Sequence, residues 1–144
     1  MKYSIITINY NNKEGLRETI ESVIHQTFHD FEYIVIDGGS TDGSADILRE
    51  YDKYITYWVS EPDRGIYHAM NNGIKQAHGT YFIFMNSGDC FYNDSVLNDV
   101  LEFLNKDIIV GKSYYENGVH GFYKQDITLL DLFNGTLPHQ ATFL

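Results

Sequence analysis

The 144-residue chain has one cysteine, Cys90. No internal disulfide and no cysteine-rich metal site can therefore form within it, and a reducing compartment fits. Basic residues are scarce: 10 Lys and Arg stand against 20 Asp and Glu, a formal net charge of −10. Binding a polyanion relies on a basic surface, so this balance argues against nucleic acid as a partner. A small anionic ligand stays open, given local help from Arg64, from backbone N–H groups or from a metal ion. No run reaches the roughly 18 apolar residues of a membrane span. The N-terminus enters a strand almost at once, with no signal-peptide layout, so the expectation is a soluble cytoplasmic chain. His25, His29, His68, His78 and His120 share no spacing and form no metal box. Repeats, low-complexity tracts and interdomain linkers are absent too, and the length suits one domain, residues 1–144, with its own core.

What is present is an alternation. Tyr3 to Ile8 is rich in strand formers, and Leu16, Ile20, Val23 and Ile24 then recur at the spacing of one helical face. Phe31 to Ile36 is apolar almost throughout, as a strand covered on both faces requires. Ser40 or Thr41 can cap a second helix carrying Ile47, Leu48 and Tyr51. A short strand at Tyr57-Trp58-Val59 precedes a third helix marked by Ile66, Met70, Ile74 and Ala77, which Gly79 ends. Tyr81 to Met85 is the most hydrophobic strand. A fourth helix is expected from about Asp94 to Leu104, and another strand at Ile108 to Val110. Strict alternation of this kind predicts an α/β fold: a mainly parallel sheet with helices on both faces, in three α/β/α layers. Beyond Gly111 the pattern changes. Asn117-Gly118 signals a hairpin, Ile127 to Phe133 a short helix, and Thr142 to Leu144 the middle of a strand.

Polar segments follow the first four strands, where an open α/β sheet places its ligand chemistry. Thr7 to Asn12 supplies amide donors and acceptors and a tyrosine able to stack on a base, although turn chemistry alone also explains its asparagines. Asp37 to Ser44 sets a carboxylate at a strand tip beside glycines that let a ligand approach, or else forms a well-capped turn. Glu61 to Gly65 carries Arg64, whose guanidinium fork matches phosphate oxygens, or which pairs with Glu61 or Asp63 at the surface. Asn86 to Asp89 ends in a carboxylate that can ligate Mg²⁺ or Mn²⁺ shared with a diphosphate, or that closes an Asx turn or caps the helix starting near Asp94. His139, after Pro138, is the last candidate.

Taken in order, Thr7 to Asn12, Asp37 to Ser44, Ser60 to Gly73, Asn86 to Asp89 and Pro138 to Thr142 resemble the inverting glycosyltransferases of family 2, which have the GT-A fold. The likeness covers nearly the whole chain and points to bacterial members that build surface polysaccharide. It implies that Ile8, Asn9 and Tyr10 line a nucleobase pocket, that Asp37, beside Gly39, hydrogen-bonds the base (typically uracil), and that Arg64 approaches base or diphosphate. Asp89 would be the final acid of the DxD motif, holding Mn²⁺ or Mg²⁺ on the diphosphate, with His139 near the metal or the donor sugar. The partners implied are a UDP-sugar and a saccharide or lipid-linked acceptor, with peripheral membrane association of a longer protein. Two departures stand out. The motif reads Ser87-Gly88-Asp89, without its first acid. For the general base that inverting transfer requires, the resemblance implies an Asp or Glu well after the DxD segment, beyond Leu144; the later carboxylates present, Asp126 and Asp131, sit in an ordinary helical pattern.

Three rival readings compete. A nucleotidyltransferase wants a glycine-rich basic loop after the first strand, where this chain has Asn9-Tyr10-Asn11-Asn12-Lys13. A non-catalytic nucleotide-sugar-binding domain would account for both departures. A purely structural α/β domain explains the sheet but not the polar residues gathered at one edge.

Overall fold

Seven consecutive residues at the N-terminus, Tyr3–Asn9, form β1, and every one of them is buried. Such a strand belongs at the centre of a sheet with both faces covered. The protein, described here as a computed structural model, is characterised over residues 1–105, 107, 109–110, 114–115, 118–119 and 142–144. The order of elements is β1, α1 (Lys13–Ile24), β2 (Phe31–Asp37), α2 (Ser44–Glu50), β3 (Tyr57–Ser60), α3 (Ile66–Gln76), β4 (Tyr81–Phe84), α4 (Val96–Asp99), β5 (Ile109–Val110), β6 (Tyr114–Tyr115), β7 (Gly118–Val119) and β8 (Thr142–Phe143).

The first four strands run parallel in the order β3-β2-β1-β4. Beyond β4 the sheet continues: Phe82 and Leu144 exchange main-chain hydrogen bonds of 2.7 and 3.0 Å, and β8 pairs antiparallel with β5. The parallel α/β sheet expected from the sequence is therefore present, with one reversed strand. The hairpin signal at Asn117-Gly118 corresponds to the antiparallel pair β6–β7, with Tyr115 opposite Gly118. The expected helix at Ile127 to Phe133, and with it Asp126 and Asp131, lies outside the described residues.

Side chains alternate across the strands and separate two cores. Tyr3, Ile5, Tyr33, Val35 and Ile83 face α1 and α2, where Leu16, Ile20, Val23, Ile47 and Leu48 meet them. Ile6, Ile8, Ile34 and Ile36 face α3. Here the pattern of the helix misleads. Ile66 and Ile74 are exposed, and the residues that α3 buries are Ala69 and Gly73. Close approach is the reason: a Cβ at Gly73 would come within 2.4 Å of Ile6 Cγ2. Large side chains cannot occupy that seam, so they stand beside it.

Two helix boundaries also differ from expectation. Helix α2 starts at Ser44, because Ser40 and Thr41 are engaged elsewhere; Asp42 Oδ1 accepts from Ser44 N at 3.0 Å and from Ser44 Oγ at 2.6 Å. The expected helix over 94–104 is a single α-turn followed by a 3₁₀ turn, Val100–Phe103. Two valines and Asn98-Asp99 favour helix poorly, and Gln26 Oε1 at the end of α1 takes the Leu97 N–H at 3.1 Å.

At the N-terminal end of the sheet, the loop before β4 is clamped by a buried acid. Glu32 accepts from Ser4 Oγ at 2.6 Å, from Gly79 N at 3.1 Å and from His78 N. Burial alone would raise its pKa, but these hydrogen bonds win and hold it below the usual carboxylate value.

Candidate functional site

The chain goes from β1 to β2 on one side and reaches β4 on the other, so the strand order reverses at β1. A crevice outside the strand tips at such a reversal is where open α/β sheets bind ligands. The register aligns the polar ends of three strands: Asn9 lies opposite Asp37, and Asp37 opposite Ser60. Ser87 stands past the end of β4, two residues after buried Met85 and four after buried Ile83.

These four side chains make one continuous chain of hydrogen bonds across the strand tips. Ser60 Oγ donates to Asp37 Oδ2 at 2.5 Å. Asp37 Oδ1 accepts from Asn9 Nδ2 at 2.6 Å and from Ser40 Oγ at 2.5 Å, while its Oδ2 also takes Ser40 N at 3.0 Å. Asn9 Oδ1 accepts from Ser87 Oγ at 2.7 Å. Asp37 is 1% exposed and Asn9 2%. A carboxylate has about four acceptor sites, and all four at Asp37 are used inside the protein. In this structure it organises the loops; a base that bonded it directly would have to displace one of those partners.

The loops themselves are tied to one another. Asn11, with φ of +48°, accepts from Thr41 N at 2.8 Å and donates its own N–H to Ser40 Oγ at 2.7 Å. Lys13 N donates to Asp42 Oδ2 at 2.8 Å. Burial works to raise the Asp42 pKa, yet the bonds from Ser44 and Lys13 keep it below normal. Gly39 serves packing: its φ is +79°, and a Cβ there would meet Pro62 N at 2.8 Å. Asn12 caps α1 through Gly15 N at 3.2 Å and donates to Ser87 O at 2.9 Å. Gly88 N donates to Thr19 Oγ1 at 2.9 Å and to Gly15 O at 3.1 Å, which seats the β4 loop on the first turns of α1.

Facing outward from this scaffold are the groups able to meet a ligand. Tyr10 is 69% exposed, and its ring lies beside Gly38, where a Cβ would come within 3.2 Å of Tyr10 Cδ2. Arg64 is exposed and makes no hydrogen bond or ion pair among the described residues. Of Glu61 and Asp63, the partners of the alternative ion-pair reading, Asp63 takes Gly65 N on Oδ1 at 2.7 Å. Asp89 is half-buried at the end of the β4 loop, with Oδ2 accepting from Asn86 N at 3.0 Å. With Asp89 N donating to Asn86 O at 2.8 Å, this closes a turn over residues 86–89 by a bond back to residue 86, not the Asx turn of the alternative reading, which would bond the N–H two residues on. Ile8 is buried and contributes its carbonyl to Ser87 N at 3.1 Å. His139 lies outside the described residues. Cys90, next to Asp89, is exposed; partial desolvation and the nearby Glu18 and Asp89 carboxylates raise its pKa, so the thiol stays protonated at neutral pH.

No cluster of three or more His, Cys, Asp or Glu that could hold a metal occurs among the described residues. One carboxylate nonetheless fits a hard divalent cation whose remaining ligands are phosphate oxygens and water, the usual arrangement for Mg²⁺ at nucleotides. Sequence reasoning gave Ser40 only a helix-capping role and gave none to the Ser60 or Thr19 side chain. Aligning the strands on their polar ends, Thr-Ile-Asn, Val-Ile-Asp and Trp-Val-Ser, would have revealed Ser60. Thr19 left no signal, since it reads as one more residue of an amphipathic helix.

The family model described as "Glycosyl transferase family 2" matches residues 4–143. An uncharacterised glycosyltransferase of Mycobacterium tuberculosis is 37% identical over 136 residues, covering 94% of this chain and 50% of that protein. A PGL/p-HBAD biosynthesis glycosyltransferase of Mycobacterium bovis is 30% identical over 155 residues, covering 98% and 58%. The chain thus spans about half the length of the curated relatives it matches. Among solved structures, residues 1–349 of S. aureus TarS superpose with a TM-score of 0.82 at 26% identity, over 99% of this chain and 47% of that one. The same TarS fragment has been solved in complex with UDP-GlcNAc (TM-score 0.73, 26% identity, 86% of this chain and 37% of that one).

Proposed function

Because the chain belongs to glycosyl transferase family 2 and has its GT-A fold, we propose that it binds a UDP-sugar across the tips of β1–β4 and serves its transfer, with inversion, to a saccharide or lipid-linked acceptor of a bacterial surface polymer. The observation that carries this reading is the division of polar residues at the crevice: a buried hydrogen-bonded row holds the loops, and Tyr10, Arg64 and Asp89 stand outside it. Tyr10 offers its ring to the uracil, with the Ile8, Asn9, Asp37 and Gly39 segment forming the floor beneath. Arg64, uncommitted within the described residues, is available to the diphosphate, where a guanidinium fork bonds two oxygens at once. The UDP-GlcNAc complex of TarS supports UDP as the nucleotide, and the biosynthetic name of the M. bovis protein supports a role in building cell-surface products.

Asp89, with His139, would hold Mn²⁺ or Mg²⁺ together with the donor phosphates. The cation, when bound, would offset charge developing on the departing nucleoside diphosphate. Arg64 would stabilise the same charge from the protein side. The base that takes the acceptor proton is proposed to lie outside these 144 residues, so donor binding, rather than transfer, is the activity to test first.

The test is calorimetric titration of UDP into the chain with Mn²⁺, repeated in EDTA and with Asp89→Ala. Metal-enhanced binding that Asp89→Ala abolishes is the expected result. Absence of UDP binding by folded wild-type protein would overturn the assignment of the crevice. Donor binding without turnover in a longer protein carrying the whole catalytic region would favour a non-catalytic nucleotide-sugar-binding domain.

A further inference from the structure

We propose that Ser87 and Asn9 are positioning residues that couple the two ends of the donor site, so that the base-side loops and the Asp89 loop respond to a ligand together. The proposal rests on the UDP-sugar reading and extends it to residues that touch no ligand. Asn9 is buried and its amide orientation is settled by its neighbours. Nδ2 lies 2.6 Å from an Asp37 carboxylate oxygen and 3.2 Å from Ser40 Oγ, so the other terminal atom is the oxygen that accepts from Ser87 Oγ. Rotating the amide would set oxygen against oxygen. Both N–H bonds of Asn9 are thereby spent within the protein, leaving none for a base.

Ser87 is equally committed. Its N–H donates to Ile8 O at 3.1 Å, its carbonyl accepts from Asn12 Nδ2 at 2.9 Å, and its hydroxyl reaches both Asn9 Oδ1 and, at 3.3 Å, Ile8 O. It occupies the position of the missing first acid of the DxD motif, yet its hydroxyl is turned toward the buried row instead of a cation. Two residues later the same loop presents Asp89. The base-side loops, held through Asp37, and the metal-side loop are thus joined side chain to side chain by Ser87 Oγ to Asn9 Oδ1, beside the main-chain links from Ser87 N to Ile8 O and from Asn12 Nδ2 to Ser87 O. A ligand spanning both sides draws on the Ser87–Asn9 bond at each end, and such coupling is reciprocal.

The readout is the metal enhancement, the ratio of UDP affinity in Mn²⁺ to that in EDTA. Calorimetry on the wild-type chain, Ser87→Ala, Ser87→Cys and Ser87→Thr gives it directly, with thermal unfolding of the same samples as the check on folding. Ser87→Ala is expected to reduce the enhancement about 2- to 10-fold, the range one neutral hydrogen bond carries, and to leave the affinity in EDTA within about twofold. Ser87→Cys, close in shape but a weak donor, follows Ser87→Ala and takes its place should the alanine variant fail to fold. Ser87→Thr, which keeps the hydroxyl, recovers the wild-type ratio. A purely structural serine would lower both affinities by the same factor. That parallel loss, or an unchanged ratio in Ser87→Ala and Ser87→Cys, overturns the proposal while the donor site stands. Failure of the wild-type chain to bind UDP in either condition removes the site assignment and the proposal with it.

Discussion

Replacing Asp37 by asparagine tests whether the buried row holds the site together, and its cost follows from the donors that surround the carboxylate. One side meets Asn9 Nδ2 and Ser40 Oγ, the other Ser40 N and Ser60 Oγ. Serine hydroxyls can rotate to accept, but Ser40 N cannot, and Asn9 Nδ2 can turn away only by giving up Ser87. In either orientation, therefore, the new amide sets one N–H against another donor. An unsatisfied buried donor costs about 1–3 kcal/mol, and the three remaining bonds fall from charge-assisted to neutral strength, roughly 1 kcal/mol each. Since neighbouring bonds do not add fully, the expected loss is about 3–5 kcal/mol. A protein of this size has about 5–15 kcal/mol in hand, so Asp37→Asn should still fold. With a urea m-value of ~2 kcal/mol/M, the unfolding midpoint falls by about 2 M. Ser60→Ala, which removes one of the four donors, should cost about 1–2 kcal/mol in the same assay. UDP binding by Asp37→Asn should weaken as the Gly38–Thr41 loop loses its anchor. A midpoint within about 0.3 M of wild type would refute the hub assignment, because it would mean that the carboxylate's charge and acceptor geometry are dispensable.

Three further outcomes are expected. Arg64→Ala should weaken UDP binding about tenfold, the loss of one charge-assisted contact, while leaving the unfolding midpoint unchanged, since Arg64 makes no ion pair among the described residues; a shift in stability measured by urea unfolding would contradict its being uncommitted. Gly73→Ala should destabilise by about 1–3 kcal/mol despite the better helix propensity of alanine, because its Cβ would collide with Ile6 Cγ2; thermal melting would show it. Glu32 makes stability depend on pH: its folded pKa is depressed, so its contribution is present above the unfolded value near 4.5 and is lost as pH falls through the folded value. Glu32→Gln should be less stable at pH 7 and should lose part of the wild-type decline below about pH 4.5, measured by urea unfolding across pH 2–7; a decline as steep as wild type would show that the dependence arises elsewhere.

The elements with the clearest periodicity were legible as sequence. Leu16, Ile20 and Val23 recur on one face of α1 and are all buried; strand-forming residues marked β1, and a nearly continuous apolar run marked β2 as a strand covered on both faces. Where periodicity misled, close packing was the cause: α3 touches the sheet through Ala69 and Gly73, whose small size carries little hydrophobic signal. The start of α2 was missed because Ser40 and Thr41, good caps in isolation, are bound to Asp37 and Asn11 instead. The expected fourth helix broke because Val96, Asn98, Asp99 and Val100 offer few strong helix formers, so its apolar pattern outran its helical tendency. Alternating strands and helices located the crevice, since loops after parallel strands must gather at one edge.

Roles within the crevice were harder to read, because binding and scaffolding draw on the same residue types. Asn9, Asp37 and Ser87 carry the groups that a nucleotide or metal would want, yet each spends them on another loop. Tyr10, Arg64 and Asp89 reach the crevice from those same loops. Composition cannot separate the two sets; register can. The inward residues fall at the last paired position of β1, β2 and β3, buried at Asn9 and Asp37 and half-buried at Ser60, whereas Tyr10 and Arg64 come one and four residues later, where pairing has ceased. A polar residue that continues a buried strand face must find its partners within the protein. One in the loop beyond is free to find them in a ligand. That rule assigns the missing first acid of the DxD motif to scaffolding: Ser87 continues the Ile83–Met85 face, and a carboxylate there would point at the oxygen of Asn9. The serine is therefore a fitted part of this sheet edge, and Asp89 is left as the carboxylate that the β4 loop can offer to a cation.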